Sequence, residues 1–273
     1  MPELPEVQTV VDTLSPRILG RSIARVDLRR SDIVDPAGID LPQLITGRTV
    51  TSLTRRGKRI VFTLDDGNLF YIHLGMTGRL TIETPDAAIR KHTHLILSLN
   101  PEPRTLTPLE LRFVDPRRFG GIWWCGKDAP KDTMGPEPLT ITANELATRL
   151  KKTHRPIKNA LMDQRVIAGL GNIYVDESLH AAGIHPLTFA DRLKPAQVAR
   201  LTKCIKSVLN KAIRHRGSTL RDYLDGEGKA GQFQKLHRVY ARDGEPCLNC
   251  STLIKRIVLG GRSTCFCPTC QRR

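Results

Sequence analysis

Four cysteines near the C-terminus are the residues whose spacing points most directly to chemistry. They form two C-x-x-C pairs separated by sixteen residues: Cys247, Cys250, Cys267 and Cys270. Each C-x-x-C turn directs two thiolates at one point, and a spacer of hairpin length brings the second pair back to the first. The spacing therefore predicts a tetrahedral site for one structural Zn²⁺.

The spacer between the two cysteine pairs is basic. It contains Lys255, Arg256 and Arg262 and no acidic residue. A metal-bound hairpin with a basic tip indicates contact with a nucleic acid more than a redox centre. The alternative is a small zinc ribbon that only stabilises the C-terminus.

The N-terminus also carries reactive residue types. Pro2 follows the initiator methionine, which is ordinarily removed before a small residue and would leave a secondary amine. That amine can attack an aldehyde carbon to give an iminium, which is always cationic and activates the neighbouring carbon for elimination. Glu3 lies beside it, placed for proton transfer. A simple helix entry explains Pro5 and the apolar residues after it, but it does not explain Pro2 and Glu3.

The charge of the chain is basic and unevenly distributed. The formal net charge is +16; residues 151–273 carry 23 basic and 9 acidic residues, whereas residues 1–150 carry 20 and 18. Such an excess predicts a polyanionic partner, because each phosphate that is neutralised releases counterions. A surface that serves only solubility is the alternative that charge alone leaves open.

The sequence predicts a soluble, non-secreted protein without a membrane partner. It contains no signal peptide and no apolar run of about 18 residues. The remaining cysteines, Cys125, Cys204 and Cys265, follow no disulfide pattern, as expected in a reducing compartment. We therefore expect a cytoplasmic protein that is associated with the nucleoid through DNA.

The two halves of the chain differ in periodicity. Residues 22–124 alternate like short strands separated by turns, which is typical of an antiparallel sandwich or barrel. The predicted strands are 22–29, 48–53, 59–64, 69–74, 94–99, 109–114 and 121–124. A Pro- and Gly-rich stretch at 126–138 predicts a linker. Beyond it the period is helical, with a capping box at Thr142 and Glu145 and a long helix from Pro195 to Gly217.

One glycine turn in the helical half could bind an anion. The sequence G-L-G-N at 169–172 directly precedes a predicted helix that ends at Ala182. Backbone N–H groups at a helix N-terminus attract anions such as phosphate. The motif is short, and a plain turn between two helices is the alternative.

Separated motifs along nearly the whole chain together resemble one family. They are P-E-L-P-E-V at 2–7, R-R-G-K at 55–58, H-L-G-M-T-G at 73–78, K-H-T-H at 91–94, D-P-R-R-F-G at 115–120, L-M-D-Q at 161–164, G-L-G-N-I-Y at 169–174, G-S-T-L-R-D at 217–222 and R-S-T at 262–264. The family that they resemble is the bacterial formamidopyrimidine-DNA glycosylases. Agreement in so many separated blocks, all in the same order, is not expected by chance.

The resemblance implies an α+β fold. Its parts would be an N-terminal two-sheet β-sandwich with a leading helix, a helical helix-two-turn-helix domain and a C-terminal zinc-finger β-hairpin. The implied boundaries are 1–126 for the catalytic sandwich, 127–138 for a linker, 139–234 for the helical domain and 238–272 for the zinc hairpin. DNA would lie between the halves, and we expect a monomer.

The resemblance also implies an enzyme of base excision repair. It would be a bifunctional glycosylase and abasic-site lyase that removes oxidised purines, formamidopyrimidines and 8-oxoguanine, from damaged double-stranded DNA, followed by β,δ-elimination. Pro2 would be the Schiff-base nucleophile and Glu3 the acid that opens the deoxyribose. Lys58 would be the cation for β-elimination, and Arg262 the phosphate-binding residue tied to δ-elimination.

Seven further residues are implied to bind DNA. Contacts to the backbone would come from His73, His92, Lys158 and Asn172, and the gap left by a flipped nucleotide would be filled by Met76, Arg117 and Phe119. On periodicity alone, core positions are favoured for Met76 and Phe119. The two histidines could be structural, and Lys58 could be a solvated charge.

Two other functions are compatible with the same composition. Endonuclease VIII removes pyrimidine lesions, but its N-terminus usually reads Pro-Glu-Gly-Pro, whereas this chain has Leu4 after Glu3. A non-catalytic zinc protein that binds DNA would need no N-terminal amine.

Residues 217–233 resemble the loop that covers an oxidised purine, and their composition predicts a mobile loop with many exposed backbone N–H donors.

Three features depart from the family pattern. Residues 100–108 add a Pro-rich loop between two predicted strands. Cys265 lies beside the predicted zinc ligands, where it could compete as a fifth thiolate. Thr153 and His154 stand where a basic phosphate contact is common, which predicts one weaker contact.

Overall fold

The structure is a computed structural model, and it describes residues 2–101, 107–127 and 133–272. Met1 therefore lies outside the described residues. So do residues 102–106 of the 100–108 insertion and residues 128–132 of the linker expected at 127–138.

The chain forms two compact units. Unit 1 comprises Met1–Asp132 together with Arg216–Gln232, and unit 2 comprises Thr133–His215 together with Phe233–Arg273. The stretch 216–232 thus packs with the N-terminal part of the chain, although the sequence-based boundaries group it with the helical domain.

Unit 1 consists of two helices and nine strands among its described residues. They are α1 (Leu4–Ile18), β1 (Ile23–Leu28), β2 (Val34–Asp35), α2 (Leu41–Ile45), β3 (Val50–Arg56), β4 (Arg59–Leu64), β5 (Leu69–His73), β6 (Arg79–Glu83), β7 (Thr93–Leu99), β8 (Leu109–Val114) and β9 (Gly121–Gly126). The strands form one sheet in the order β1-β7-β8-β6 and a second in the order β2-β9-β5-β4-β3. All pairs are antiparallel except β2 with β9.

Apolar residues of both sheets and of α1 share one core, which confirms the predicted sandwich with a leading helix. Val7, Val10 and Leu14 lie on one face of α1 and are fully buried in this core. Phe62 on β4 faces Phe70 on β5, with ring centroids 4.5 Å apart. Each such ring contributes roughly 1.5–3 kcal/mol through burial, so the core fixes the register of β4 and β5.

Unit 2 contains four helices and one hairpin among its described residues. They are α3 (Ala143–Leu150), α4 (Ile157–Met162), α5 (Asn172–Ala182), α6 (Pro195–Arg214), β10 (Lys255–Leu259) and β11 (Arg262–Phe266). The predicted capping box at Thr142 and Glu145 is confirmed at the start of α3. Gly183 ends α5 in the left-handed conformation, with φ 63°, as predicted for a glycine C-cap.

None of the described helices is both long and apolar enough to cross a membrane. The longest, α6, is amphipathic instead: Val198, Leu201, Ile205 and Leu209 are buried along one face. It ends at Arg214, three residues before the predicted end at Gly217, because the backbone leaves the helical conformation at His215.

Candidate active site and nucleic-acid interface

The carboxylate of Glu6 fixes the start of the chain. Its Oε2 accepts the Glu3 N–H at 2.8 Å, and its Oε1 accepts the Ser218 N–H at 2.7 Å. Glu6 is 1% exposed, and Pro2 and Glu3 are also buried. A charge-assisted hydrogen bond of this kind holds the backbone beside Pro2 in one position. In the sequence, Glu6 is visible only as part of the P-E-L-P-E-V motif, which does not indicate this role.

A second set of hydrogen bonds joins residues 216–232 to α1 and to β6. The Gly226 N–H donates to Thr13 Oγ1 at 3.0 Å, and the Gly226 carbonyl accepts the Ile82 N–H of β6 at 2.8 Å. A Cβ on Gly226 would lie 2.6 Å from the Leu14 side chain, so only glycine allows this approach. Tyr223 is 7% exposed in the core of unit 1.

The expectation of many exposed N–H donors in this stretch is wrong for the conformation observed. The Glu227 and Lys229 N–H groups both donate to Asp225 Oδ1 at 2.9 Å, and the Gly231 N–H donates to Thr219 Oγ1 at 2.9 Å. The side chain of Asp225 is fully buried. The exposed residues of the stretch are Leu220–Arg221, residues 227–230 and Gln232. A glycine-rich composition indicated mobility, but the buried Tyr223 and Asp225 hold the stretch to its own unit.

Lys58 lies in the two-residue turn between β3 and β4. Arg56 pairs with Arg59 across the turn, and Gly57 has φ 57°, which suits the first position of a type II′ turn. The Arg55 side chain donates to Gln8 Oε1 on α1 at 2.9 Å and to the Gly57 carbonyl at 3.0 Å. Arg55 therefore connects α1 to the turn that carries Lys58, and sequence reasoning did not single it out.

His73 ends β5 as a neutral imidazole. Burial, together with the nearby charges of Lys58 and Arg59, lowers its pKa to about 4. The Gly75 N–H donates to His73 Nδ1 at 3.2 Å, so the ring proton lies on Nε2. His73 can therefore donate one hydrogen bond at neutral pH, but it carries no charge to offer a phosphate.

We expect the His73 ring to titrate near pH 4 and not near 6.5. The depressed pKa means that the unfolded chain binds a proton at this site between about pH 6.5 and 4, whereas the folded chain does not. Stability contributed by His73 is complete above pH 6.5 and is lost as the pH falls through that window. The ring resonance of His73, followed by NMR from pH 8 to 3.5, measures this, with His73→Asn to assign the peak. A midpoint between pH 6 and 7 would contradict it.

Two neighbouring turns present an exposed apolar and cationic group. Met76 is 36% exposed and Phe119 is 55% exposed, so neither belongs to the core. The Arg117 guanidinium lies 4.7 Å from the centre of the Phe119 ring, a cation–π contact. Large apolar side chains held out into solvent on short turns are suited to insertion between bases.

Asp115 joins these two turns from below the surface. Its carboxylate accepts the Thr77 hydroxyl at 2.5 Å, the Gly120 N–H at 2.8 Å and the Arg117 N–H at 3.3 Å, and the residue is fully buried. A Cβ on Gly75, where φ is 61°, would lie 2.4 Å from the Gly120 nitrogen. The two backbones are therefore in direct contact, which fixes Met76 relative to Phe119.

Replacing Asp115 by Ala is expected to destabilise unit 1 by about 2–4 kcal/mol, because three donors, the Thr77 hydroxyl and the Arg117 and Gly120 N–H groups, lose their acceptor. Asp115→Asn keeps one carbonyl oxygen and should cost less. Thermal unfolding measures the stability of each variant. The affinity for a lesion duplex, measured below the unfolding temperature, reports whether the Met76 and Phe119 turns keep their conformation. An Asp115→Ala protein with unchanged stability would show that the carboxylate does not hold the turns together.

His92 lies on the loop that enters β7. It is exposed and has φ 66°, and its carbonyl accepts the Asp115 N–H at 3.1 Å. The loop conformation is thus tied to the residue that organises the Met76 and Phe119 turns.

In unit 2, Asn172 and Arg262 lie on elements that are in contact. Asn172 is the first residue of α5, after Gly171 as N-cap, and its Nδ2 donates to Ser263 Oγ at 3.4 Å. Ser263 directly follows Arg262, which is exposed at the start of β11. The hairpin turns at Gly260 and Gly261, with φ 56° and 71°, as a type I′ turn requires.

Lys158 does not lie on the surface where a phosphate contact was expected. It is 1% exposed, its Nζ lies 2.8 Å from Asp176 Oδ1, and it donates to the Ser263 carbonyl at 2.7 Å. Helical periodicity alone cannot separate a buried lysine from an exposed one when α4 has only six residues.

The four predicted zinc ligands meet at one point. Their Sγ atoms all lie within 4.8 Å of one another, with Cys250 to Cys267 at 3.4 Å and Cys247 to Cys270 at 3.9 Å. Tetrahedral Zn²⁺ with bonds of about 2.3 Å requires sulfurs about 3.8 Å apart. The Asn249 N–H donates to the sulfur of Cys247 at 3.4 Å. The site fits one structural Zn²⁺.

Cys265 is not part of this sulfur cluster. It is buried on β11 opposite Arg256, packed with Val239 and Ile254, and its N–H donates to Asp176 Oδ2 at 2.9 Å. The suggestion of a fifth thiolate is therefore not supported by the geometry. His180 Nε2, in contrast, lies 3.8 Å from Cys247 Sγ and lines the site from α5.

Three family models match the chain in succession. They are the formamidopyrimidine-DNA glycosylase N-terminal domain over residues 1–122, the formamidopyrimidine-DNA glycosylase H2TH domain over 134–223, and a zinc finger found in FPG and IleRS over 244–273. The chain belongs to the formamidopyrimidine-DNA glycosylase family.

Individual family members match over their full length. The formamidopyrimidine-DNA glycosylase of Rhizorhabdus wittichii is 46% identical over 279 residues, and that of Solibacter usitatus is 43% identical over 276 residues; each match covers 100% of both chains. The Lactococcus lactis Fpg in complex with DNA containing an abasic site superposes with a TM-score of 0.91 at 34% identity, covering 99% of this chain and 100% of that one. The Thermus thermophilus MutM (Fpg) protein gives 0.86 at 37% identity, covering 99% and 98%.

The motif residues that the family resemblance singled out fall in both units. Unit 1 contains Pro2, Glu3, Lys58, His73, Met76, His92, Arg117 and Phe119, and unit 2 contains Lys158, Asn172, Arg262 and the four cysteines. Three buried carboxylates that hold these residues were not predicted: Glu6, Asp115 and Asp176. Glu6 and Asp115 lie inside quoted motifs, but only long-range contacts reveal what they bind.

Proposed function

We propose that this chain is a base excision repair glycosylase and abasic-site lyase that acts on oxidised purines in duplex DNA. The observation that carries the proposal is the N-terminal arrangement of a buried Pro2 and Glu3, held by Glu6 against the 216–232 stretch. A protein that only binds DNA has no need of a fixed N-terminal amine. Family membership supports the same reaction.

In the proposed mechanism, the Pro2 nitrogen attacks C1′ of the damaged nucleotide as the bond from C1′ to the base breaks. Glu3 protonates the ring oxygen, the bond between that oxygen and C1′ opens, and a cationic iminium forms. Loss of a C2′ proton expels the 3′ phosphate, and a second elimination expels the 5′ phosphate. Lys58 would stabilise the departure of the 3′ phosphate, and Arg262 would stabilise the departure of the 5′ phosphate. The chemistry requires that Met1 be removed, because an amide nitrogen is not nucleophilic.

The remaining residues would prepare the substrate. A base stacked in the duplex hides its C1′, so the nucleotide must be flipped out. Met76 and Phe119 would enter the gap, and Arg117 would reach the unpaired opposite base. His73, His92 and Asn172 would bind the backbone, and Zn²⁺ held by the four cysteines supplies folding free energy to the hairpin that carries Arg262.

Borohydride trapping tests the proposed function. Hydride reduces the iminium to an amine and leaves a covalent bond between protein and DNA. We expect an adduct with duplexes that contain 8-oxoguanine or a formamidopyrimidine, and much less with an oxidised pyrimidine. An adduct mainly with the pyrimidine lesion would favour the endonuclease VIII alternative, and no adduct with any lesion would favour a non-catalytic zinc protein.

We also propose that the partner of this chain is damaged double-stranded DNA. The matched Lactococcus lactis structure holds DNA with an abasic site, and damaged double-stranded DNA is the partner that the basic unit 2 suits. We propose a monomer that works in the cytoplasm on nucleoid DNA. Sedimentation of the protein with one lesion duplex measures the stoichiometry.

The exposed tip of the 216–232 stretch offers a test of how the lesion is recognised. Deleting Ser218–Gln232 would remove Tyr223 from the core and the Ser218 N–H from Glu6, so we expect equal loss on all substrates. Replacing only Leu220 and Arg221 by Gly and Ser spares these contacts. We expect this change to lower 8-oxoguanine excision about tenfold and to leave cleavage of a preformed abasic site intact. Equal retention of both activities would show that the tip does not contact the lesion.

A further inference from the structure

One edge of strand β11 is not covered by any other strand of the described residues. The strand pairs with β10 on one side only, and alternate residues of an antiparallel strand direct their N–H and C=O groups away from the partner strand. Two of these outward groups are the Ser263 carbonyl and the Cys265 N–H. Left unpaired, they would cost free energy or attract another chain.

A buried ion pair occupies this edge in place of a strand. Lys158 of α4 donates to the Ser263 carbonyl at 2.7 Å, and Asp176 of α5 accepts the Cys265 N–H at 2.9 Å. The two side chains lie 2.8 Å apart, and each is 1% exposed. The Lys158–Asp176 pair therefore binds β11 one and three residues after Arg262.

Two further contacts place the same hairpin on α4 and α5. Asn172 Nδ2 reaches Ser263 Oγ at 3.4 Å. A Cβ on Gly260 would lie 2.7 Å from Asn159 Nδ2, so the turn of the hairpin touches α4. The start of β11 is thus fixed against the first residue of α5, while Arg262 itself stays exposed.

Stability alone does not explain an ion pair at this position. Burial raises the pKa of Asp176 to about 6 even though Lys158 opposes the shift. Desolvation of such a pair often cancels its attraction, and apolar replacements of similar size are commonly neutral or stabilising. What apolar side chains cannot provide is one donor and one acceptor for the edge of β11.

We propose that Lys158 and Asp176 are positioning residues. They hold the zinc hairpin against α4 and α5 so that Arg262 and Asn172 bind the same DNA phosphate. Lys158 itself does not contact DNA. This inference rests on the proposed function and replaces the direct phosphate contact that the family resemblance implied for Lys158.

A double-mutant cycle tests the proposal. The double variant Lys158→Met with Asp176→Leu removes both charges together and should fold and bind one Zn²⁺, whereas Lys158→Met alone leaves a buried unpaired carboxylate and should unfold more easily. Affinity is measured for a duplex with a non-cleavable abasic-site analogue over a range of salt. We expect the double variant to lose about tenfold or more in affinity, and we expect the same loss from Arg262→Ala. Adding Arg262→Ala to the double variant should then change little.

Hydrogen exchange of the Cys265 amide gives a readout without DNA. Its protection should fall in the double variant and stay unchanged in Lys203→Met, a matched control that removes one exposed lysine from α6. If the double variant does not fold, the same cycle is run with Asp176→Asn, which weakens the hold on Lys158 at nearly constant volume. The expected result is again that Arg262→Ala has less effect in that background.

Additive effects of the double variant and Arg262→Ala on affinity and on the salt slope would overturn the proposal, since they would mean that Lys158 contacts a phosphate directly. Unchanged affinity in the folded double variant would overturn it as well. Failure of the parent protein to bind or trap any lesion duplex would instead be a failure of the proposed function, so the two results are distinguishable.

Discussion

Replacing Pro2 by Gly is expected to reduce borohydride trapping on the order of a hundredfold or more, which corresponds to at least about 2.7 kcal/mol of transition-state stabilisation. The substitution exchanges a secondary amine for a primary one on a more flexible backbone. Glu6 would still bind the Glu3 N–H and the Ser218 N–H, so the rest of unit 1 should fold as before. Affinity for a duplex with an abasic-site analogue should stay nearly unchanged, because the proposed phosphate contacts lie elsewhere.

Two controls make the result specific. Lys203→Ala removes an exposed lysine of α6 and should trap at the parental rate. Protein with an acetylated N-terminus should bind DNA but form no adduct, and mass spectrometry of the purified protein reports whether Met1 has been removed. Trapping of Pro2→Gly at the parental rate would require a lysine nucleophile and would refute the assignment.

Most strands were predictable because short-range patterns mark them, whereas the arrangement of the two sheets came from the family resemblance. The observed β4 and β8 have the predicted bounds, and buried and less buried residues alternate along β4. Strand β6 was missed although Leu80 and Ile82 are apolar, because it follows the turn motif at 73–78 directly. Helix α2 has only five residues, which is too short for a helical period to be visible.

The supports of the proposed site were not predictable from local patterns. Glu6 and Ser218 are 212 residues apart in sequence, and Lys158 and Ser263 are 105 apart. A glutamate in the first turn of a helix is also common for reasons of the helix dipole. Nothing in the sequence distinguishes it from one whose carboxylate binds two distant N–H groups. The motifs predict which residues react, whereas the tertiary contacts show what holds those residues.

Tertiary contacts, and not composition, also determine the conformation of residues 216–232. The glycines of this stretch suggested freedom, but Gly226 and Gly231 are required because other atoms approach them closely. A Cβ on Gly231 would lie 2.3 Å from the Gly217 carbonyl oxygen. The stretch is therefore a packed part of unit 1 whose exposed residues are Leu220–Arg221, residues 227–230 and Gln232. We expect any contact with a lesion to come from these residues in this conformation.

Replacing Cys267 by Ser is expected to abolish DNA binding, with a loss on the order of a hundredfold or more, because structural Zn²⁺ supplies folding free energy of about 10 kcal/mol or more in small zinc modules. Cys267 Sγ lies 3.4 Å from Cys250 Sγ and accepts the Cys270 N–H at 3.4 Å, so its loss disrupts both C-x-x-C turns. Without the zinc site, β11 and Arg262 lose one of their two supports, and the Lys158–Asp176 pair is the other. Metal content, thermal unfolding and duplex affinity are measured on the same preparation.

Cys265→Ser is the matched control, since Cys265 lies two residues before Cys267, on β11, but outside the group of four sulfurs. It should keep one Zn²⁺ per chain and nearly parental affinity, with only a modest loss of stability from placing a hydroxyl in an apolar cluster. A strong chelator should reproduce the Cys267→Ser defect in the parent and in Cys265→Ser alike, and added Zn²⁺ should restore both. Retention of tight DNA binding by the metal-free parent would show that the hairpin folds without its metal. The Lys158–Asp176 pair would then be its principal support.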